Sequence, residues 1–271
     1  KKNATDFALW KFSRPDENRQ MEWSSPWGVG FPGWHTECVV MSQKHLGVPF
    51  DIHCGGIDHI EIHHPNEIAQ SKAAFGKNPA NFWMHGEFLT VKKEKMSKSK
   101  GNFYTLKDIT KQFNPLAYRY LCLNSHYRSK MNFSEEAMQG AENSLQKLTD
   151  RVQDLPSKPG EISNEYKKKF IEAVNDDLNT PQGLKVAWNL LKDKSVKPED
   201  KRATIIDFDK ILNLDLNKKI EIPKAVKELA EKRKEFRKKG EYEKADKMRR
   251  EIDNLGYRVK DVEDGYKLKQ K

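Results

Sequence analysis

The chain has 271 residues, of which 36% are hydrophobic, so it is long enough to bury a core and to form two or more domains. Its 50 basic and 40 acidic residues give a formal net charge of +10, which favours an anionic partner such as nucleic acid. Three widely spaced cysteines argue against a disulfide scaffold and suit a reducing compartment. No apolar run is long enough to span a membrane, so we expect a cytoplasmic protein.

The first hundred residues alternate helical and strand patterns. These patterns predict a helix over His35–Leu46, a strand over Pro49–His53, a helix over Glu67–Ala74, and strand or turn segments over Asn81–His85 and Glu87–Val91. Such alternation predicts half of a doubly wound, mostly parallel α/β sheet. Ligands gather at the carboxyl ends of strands in these sheets, which is where His53–Asp58 would lie.

A lysine-rich loop follows these elements. The segment KMSKSKGN, Lys95 to Asn102, places two lysines around a Met-Ser step and ends in a Gly-Asn turn. The lysine ammonium is a mobile point charge, so such a loop can fold over a polyphosphate and then release it. A Lys/Ser run of generic wording is more often a solvated surface loop.

Helical patterns dominate after this loop. Thr105 with Asp108 predicts a capping box, and Asn114-Pro115 predicts the start of a further helix. Three more helices are predicted from Phe133-Ser134 to Leu155, over Tyr166–Val174 and from Thr180-Pro181 to Leu191, with a linker at Pro156–Gly160. Together they predict an antiparallel helical bundle.

The C-terminal segment is predicted to form a small basic α+β module. Lys224–Arg250 holds 12 basic and 6 acidic residues. Two amphipathic helices are predicted there, ending at Gly240 and Gly256, and a hairpin is predicted to turn at Asp264-Gly265. Lysine and arginine on such helices favour nucleic-acid binding, although a solvated basic helical hairpin has the same pattern.

A Cys, a His and a Glu have the chemistry of a metal site. His63 and Glu67 are four residues apart, so on a helix they share one face, and Cys38 could join them from a separate element. The alternative is an ordinary surface pair with a cysteine that is simply buried, and the spacing alone does not exclude it.

Five motifs together carry a resemblance to a known family. GWHTEC, DIHCGGID, HHPNEIAQS, KMSKSKGN and HYRS occur in order and resemble cysteinyl-tRNA synthetase, a class I aminoacyl-tRNA synthetase. The resemblance implies a Rossmann-like catalytic domain and ATP-dependent ligation of L-cysteine to tRNA(Cys) through a cysteinyl-adenylate. It also implies one Zn²⁺ for each catalytic site, and ATP used with Mg²⁺.

The resemblance assigns roles to particular residues. The catalytic residues would be Lys95 and Lys98, and the cysteine pocket would be lined by Trp34 and His53. Zinc would be held by Cys38, His63 and Glu67, with a fourth ligand from an N-terminal catalytic half that has no counterpart in this chain. The residues expected to bind ATP are Gly55, Gly56, Asp58, Lys95, Met96, Ser97, Lys98 and Ser99.

The resemblance also implies a division into four parts. These are the second half of the catalytic domain (1–103), a connecting helical segment (104–128), a tRNA-binding helical bundle (129–215) and an anticodon-binding module (222–271). Cys54 replaces a glycine of the family motif, and Pro65 replaces a glutamate. Two other functions stay open: a ligase joining cysteine to an amino-sugar, and a non-catalytic RNA-binding paralogue.

Overall fold

The computed structural model describes residues 2–3, 5–16, 19–91, 94–96, 104–218, 221–262 and 265–270. The chain divides into two compact units. The N-terminal unit comprises Lys1–Asn102 with Tyr127–Phe133, and the C-terminal unit comprises Phe103–His126 with Ser134–Lys271. The four parts that the family resemblance implies stay a prediction.

The N-terminal unit is built from short sheets and two helices. Its elements are β1 (Trp10–Phe12), β2 (Gly30–Pro32), α1 (Trp34–Leu46), β3 (Phe50–Gly56), α2 (His63–Phe75), β4 (Ala80–Gly86), β5 (Leu89–Val91), β6 (Glu94–Lys95) and β7 (Met131–Phe133). β3 and β4 pair in parallel across the α2 crossover, and His53 lies opposite Trp83 in their register. β1 and β2 form an antiparallel pair, and β5 pairs with β6 antiparallel and with β7 in parallel.

Glycines end both helices of this unit. Gly47 has a φ of 82° and its N–H donates to Gln43 O, and Gly76 is left-handed and its N–H donates to Lys72 O. Residues other than glycine rarely adopt such φ values, so these glycines end the helices. The sequence pattern predicts the end of α1 at Leu46, and it predicts the second helix to end at Ala74, one residue before its last residue in the structure. Pro65 lies in the first turn of α2, where its missing N–H costs no helical hydrogen bond.

The C-terminal unit is mainly helical. Its elements are α3 (Leu106–Ile109), α4 (Pro115–Leu123), α5 (Glu135–Gln153), α6 (Asn164–Asn175), α7 (Thr180–Lys192), α8 (Pro198–Leu212), α9 (Lys224–Lys238), α10 (Tyr242–Asn254), β8 (Tyr257–Val262) and β9 (Gly265–Gln270). Buried residues of α4 to α8 form one apolar cluster, in which the rings of Phe170 and Phe208 stack at 4.1 Å. The capping box of Thr105 with Asp108 is present, as predicted.

The last two helices and the hairpin share a smaller core. Val226, Ala230, Ile252 and Val259 are buried together. Arg233 of α9 is only 1% exposed, and its guanidinium donates to both carboxylate oxygens of Asp261 at 2.7 and 3.0 Å. This charge is tolerated in the interior because it is paired bidentately.

Helices with several short sheets are therefore the architecture of the described residues. Several of the described elements lie outside the sequence-based predictions, among them strands β1 and β2. Met131–Phe133 forms strand β7 beside β5, whereas the pattern predicted only a helix start at Phe133. Helix α8 was not predicted.

Candidate metal centre and ligand pocket

Two helices and one strand bring the predicted site residues together. On α1, Trp34 and Cys38 are one turn apart and share a face, and on α2 the same spacing joins His63 and Glu67. His53 projects from the middle of β3 and reaches Glu67 from another direction. The site therefore lies where α1, α2 and β3 meet.

The donor atoms of Cys38, His63 and Glu67 converge. All three ligand atoms lie within 4.8 Å of one another. His63 and Glu67 are buried, at 4% and 1% exposure, and Cys38 is half-buried. A thiolate, an imidazole and a carboxylate in one buried cluster are a donor set that suits zinc.

The two carboxylate oxygens of Glu67 have different contacts. Its Oε2 accepts a hydrogen bond from His53 Nε2 at 2.7 Å. Its Oε1 lies 2.6 Å from His63 Nε2, yet this buried oxygen has no hydrogen-bond partner among the described residues. A buried acceptor without a donor is costly, and a cation between His63, Glu67 and Cys38 would satisfy it. The residues therefore fit the zinc ion that the motifs imply.

The centre is part of a cluster of six histidine rings: His35, His53, His59, His63, His64 and His85. Two short nitrogen–nitrogen contacts join members of the cluster, from His35 Nδ1 to His63 Nδ1 and from His64 Nδ1 to His85 Nε2, both at 2.7 Å. Each such contact needs one proton, so one ring donates and the other accepts. Of these six histidines, only His53 and His63 have a role that the sequence predicts.

Burial keeps several of these rings neutral. Desolvation lowers the pKa of His64 to about 4, and it also lowers the pKa of His35, His63 and His85. Burial likewise raises the pKa of the Cys38 thiol, with a further contribution from the Glu67 carboxylate. Neutral imidazole is the form that ligates metals, whereas Cys38 would lose its proton on binding a cation.

Trp34 contacts the centre through the ring of His63. Its ring is 4.3 Å from the His63 ring, and the residue is 58% exposed. It also contacts His59 edge-on at 5.7 Å. An exposed indole beside a buried donor set could line a ligand pocket.

The two glycines that end β3 are packed closely. A Cβ on Gly55 would lie 2.6 Å from His64 Cε1 and 2.7 Å from His59 Nδ1, and one on Gly56 would lie 2.5 Å from Asp58 Oδ1. Gly55 is thus required by the histidine cluster, whatever ligand approaches its backbone. Gly55, Gly56 and Asp58 lie at the carboxyl end of β3, as the sequence predicts for this segment.

Only the beginning of the lysine-rich loop is described. The backbone of Lys95 belongs to β6, where it pairs with Thr90, and Met96 is half-buried. Ser97, Lys98 and Ser99 lie outside the described residues. The ATP-binding and catalytic roles of this loop stay predictions.

Comparison with known proteins identifies the family. A family model described as "tRNA synthetases class I (C) catalytic domain" matches residues 1–143, more than half of the chain. The chain belongs to this family. Cysteine–tRNA ligase 1 of Burkholderia lata is 45% identical over 99% of this chain and 58% of its own length. Cysteine–tRNA ligase of Novosphingobium aromaticivorans is 43% identical over 96% of this chain and 59% of its own length.

The chain therefore spans about three fifths of the length of these synthetase-family relatives. A solved structure supports the fold. The Agrobacterium radiobacter K84 LeuRS–tRNA–LeuAMS ternary complex superposes with a TM-score of 0.53 at 15% identity, covering 73% of this chain and 33% of that chain. Among the described residues, no helix has the length and hydrophobicity that crossing a bilayer requires.

Proposed function

We propose that this chain is the zinc- and KMSKS-bearing part of an enzyme that ligates L-cysteine to tRNA(Cys) with ATP. The observation that carries the proposal is the buried convergence of Cys38, His63 and Glu67 in a chain whose relatives are named cysteine–tRNA ligases. A cysteinyl-adenylate would be the intermediate, formed when the cysteine carboxylate attacks the α-phosphate of ATP.

Recognition of cysteine follows from the donor set. A zinc ion held by Cys38, His63 and Glu67 would offer a position that prefers the substrate thiolate to a serine hydroxyl. Discrimination by shape alone would be weak, because sulfur and oxygen analogues are nearly isosteric. Trp34 and His53 would line the pocket that holds the side chain of the amino acid.

The remaining chemistry needs positioning and charge stabilisation rather than a protein nucleophile. Gly55 and Gly56 would bring backbone close to adenosine, and Asp58 would accept hydrogen bonds from the ribose hydroxyls. Lys95 and Lys98 would neutralise charge that develops on the phosphates of Mg²⁺–ATP. Met96, Ser97 and Ser99 would complete this loop around the nucleotide.

Two features favour tRNA as the second substrate. The chain carries a net charge of +10, and its basic residues are concentrated in α9 and α10. The helices α5 to α8 would form the tRNA-binding bundle, and α9 to β9 would form the anticodon-binding module. We further propose that the part of the relatives' length beyond this chain supplies the fourth zinc ligand and the other half of the ATP site.

The two other functions considered from the sequence are less favoured. A cysteine:amino-sugar ligase has no use for a basic C-terminal module, yet the match to cysteine–tRNA ligases extends over 99% of this chain. A non-catalytic RNA-binding paralogue would have no need to keep Cys38, His63 and Glu67 converged in the interior.

The proposal is tested by ATP–pyrophosphate exchange with the natural gene product that carries this chain. Exchange should depend on L-cysteine and should not occur with L-serine, and the enzyme should charge tRNA(Cys). A Cys38→Ala variant should lose exchange with cysteine. Exchange that is equal with both amino acids, or absent from the intact gene product, would contradict the proposal.

A further inference from the structure

We propose that His35 and His53 are positioning residues of the metal centre, each orienting one of the two ligands that α2 provides. His35 from α1 would orient His63, and His53 from β3 would orient Glu67. This inference rests on the proposed function, because it concerns the same metal centre. It gives His53 a role different from lining the cysteine pocket.

The contact between His53 and Glu67 gives the two carboxylate oxygens different roles. A carboxylate can only accept, so the proton lies on His53 Nε2, which donates to Oε2 at 2.7 Å. This bond leaves Oε1, which lies 2.6 Å from His63 Nε2, available to a metal ion. Hydrogen bonds of this kind fix the orientation of ligating carboxylates.

The contact between His35 and His63 fixes which nitrogen of His63 is the ligand. Their Nδ1 atoms are 2.7 Å apart, so one of the two carries the shared proton. His63 Nε2 faces Glu67 Oε1 at 2.6 Å, yet that oxygen receives no hydrogen bond from the described residues. With a metal ion bound, Nε2 must be bare, so the proton of His63 lies on Nδ1 and is donated to His35 Nδ1; His35 would then hold both the tautomer and the ring angle.

A competing arrangement uses some of the same atoms. His53, His64 and Glu67 also bring three donor atoms within 4.8 Å of one another. In that group, however, His53 Nε2 and Glu67 Oε2 already satisfy each other, and His64 Nδ1 already pairs with His85. The unsatisfied Oε1 lies instead beside His63 Nε2, at 2.6 Å. His53 is thus a hydrogen-bond donor to a ligand rather than a ligand.

The test is Co²⁺ and Zn²⁺ binding by the 271-residue chain and its variants. Co²⁺ reports the Cys38 thiolate through its sulfur-to-metal absorption band, and Zn²⁺ affinity follows from competition with a chromophoric chelator. His35→Ala and His53→Ala should each weaken metal affinity about 10- to 100-fold while keeping the thiolate band. His35→Gln and His53→Gln should recover most of the loss, because the glutamine amide both donates and accepts.

His45→Ala is the matched control, since His45 is an exposed histidine on α1. It should bind metal like the parent chain. Affinities within twofold of the parent for both alanine variants would overturn the inference. So would a His53→Ala loss that glutamine does not recover, since His53 would then be a ligand. If the parent chain itself shows no thiolate band that Cys38→Ala removes, the proposed metal centre fails, which is a separate outcome.

Discussion

Replacing Gly55 with alanine tests whether the histidine cluster is packed as tightly as the structure shows. The new Cβ would lie 2.6 Å from His64 Cε1 and 2.7 Å from His59 Nδ1, whereas ordinary contacts begin near 3.4 Å. His64 is only 3% exposed and is tied to His85, so the ring would have to move by nearly 1 Å or break that bond. Overpacking of this kind costs about 1–3 kcal/mol.

Gly86→Ala provides a control in the same sheet. Gly86 ends β4 opposite Gly56, and the nearest atom to its added Cβ is 4.0 Å away. Thermal unfolding followed by tryptophan fluorescence reports mainly on the N-terminal unit, which holds five of the six tryptophans. Gly55→Ala should lower the midpoint by about 5 °C or more, and Gly86→Ala should change it little. Equal midpoints for the two variants would refute the close packing of His64 and His59 on Gly55.

Three further predictions concern other parts of the chain. Burial lowers the pKa of His64 from 6.5 to about 4, so the folded state favours the neutral ring. In metal-free protein the unfolding free energy should therefore fall by roughly 3 kcal/mol at most as the pH drops from 6.5 to 4. Equal unfolding free energies from urea titrations at pH 7 and pH 4.5 would contradict this prediction. Asp261→Ala leaves the buried Arg233 unpaired and should lower the free energy of unfolding, measured in urea, by about 2–4 kcal/mol. Arg237→Ala removes a more exposed partner of the same carboxylate and should lower it by less than about 1 kcal/mol. In the intact enzyme Lys98→Ala should cut cysteine-dependent pyrophosphate exchange by about 10²-fold or more with cysteine affinity nearly unchanged, and a large loss of cysteine affinity would refute the assigned role.

The end of α1 and the shared face of His63 and Glu67 could be predicted because their signals are local, whereas Cys38 lies on a different helix and was joined to them through the family resemblance. Gly47 marks a helix end through its backbone conformation, and the four-residue spacing of His63 and Glu67 places them on one face wherever the helix lies. Helix α8 has comparable signals, since Pro198 opens it and acidic residues follow in the first turn. It was therefore predictable, although it was missed.

The histidine cluster and strand β7 depend on contacts between distant segments. His64 meets His85 only because α2 packs beside the parallel pair of β3 and β4, and no local pattern specifies that register. The sequence did hold one signal of the cluster, which is the local frequency of histidine: four of the eight histidines lie in the segment from His53 to His64. Strand β7 has three residues, too few for a period-2 pattern, and pairs with β5 about forty residues earlier.

The central claim is that Cys38, His63 and Glu67 hold a zinc ion that recognises the substrate sulfur. X-ray absorption at the zinc edge measures this directly, because sulfur neighbours lie about 2.3 Å from zinc and nitrogen or oxygen neighbours lie closer. The sample is the zinc-loaded chain after removal of unbound small molecules. We predict that the zinc ion has about one sulfur neighbour in the chain without an amino acid or with L-serine, and about two with L-cysteine. No sulfur neighbour in the substrate-free chain, or the same count with both amino acids, would contradict the account.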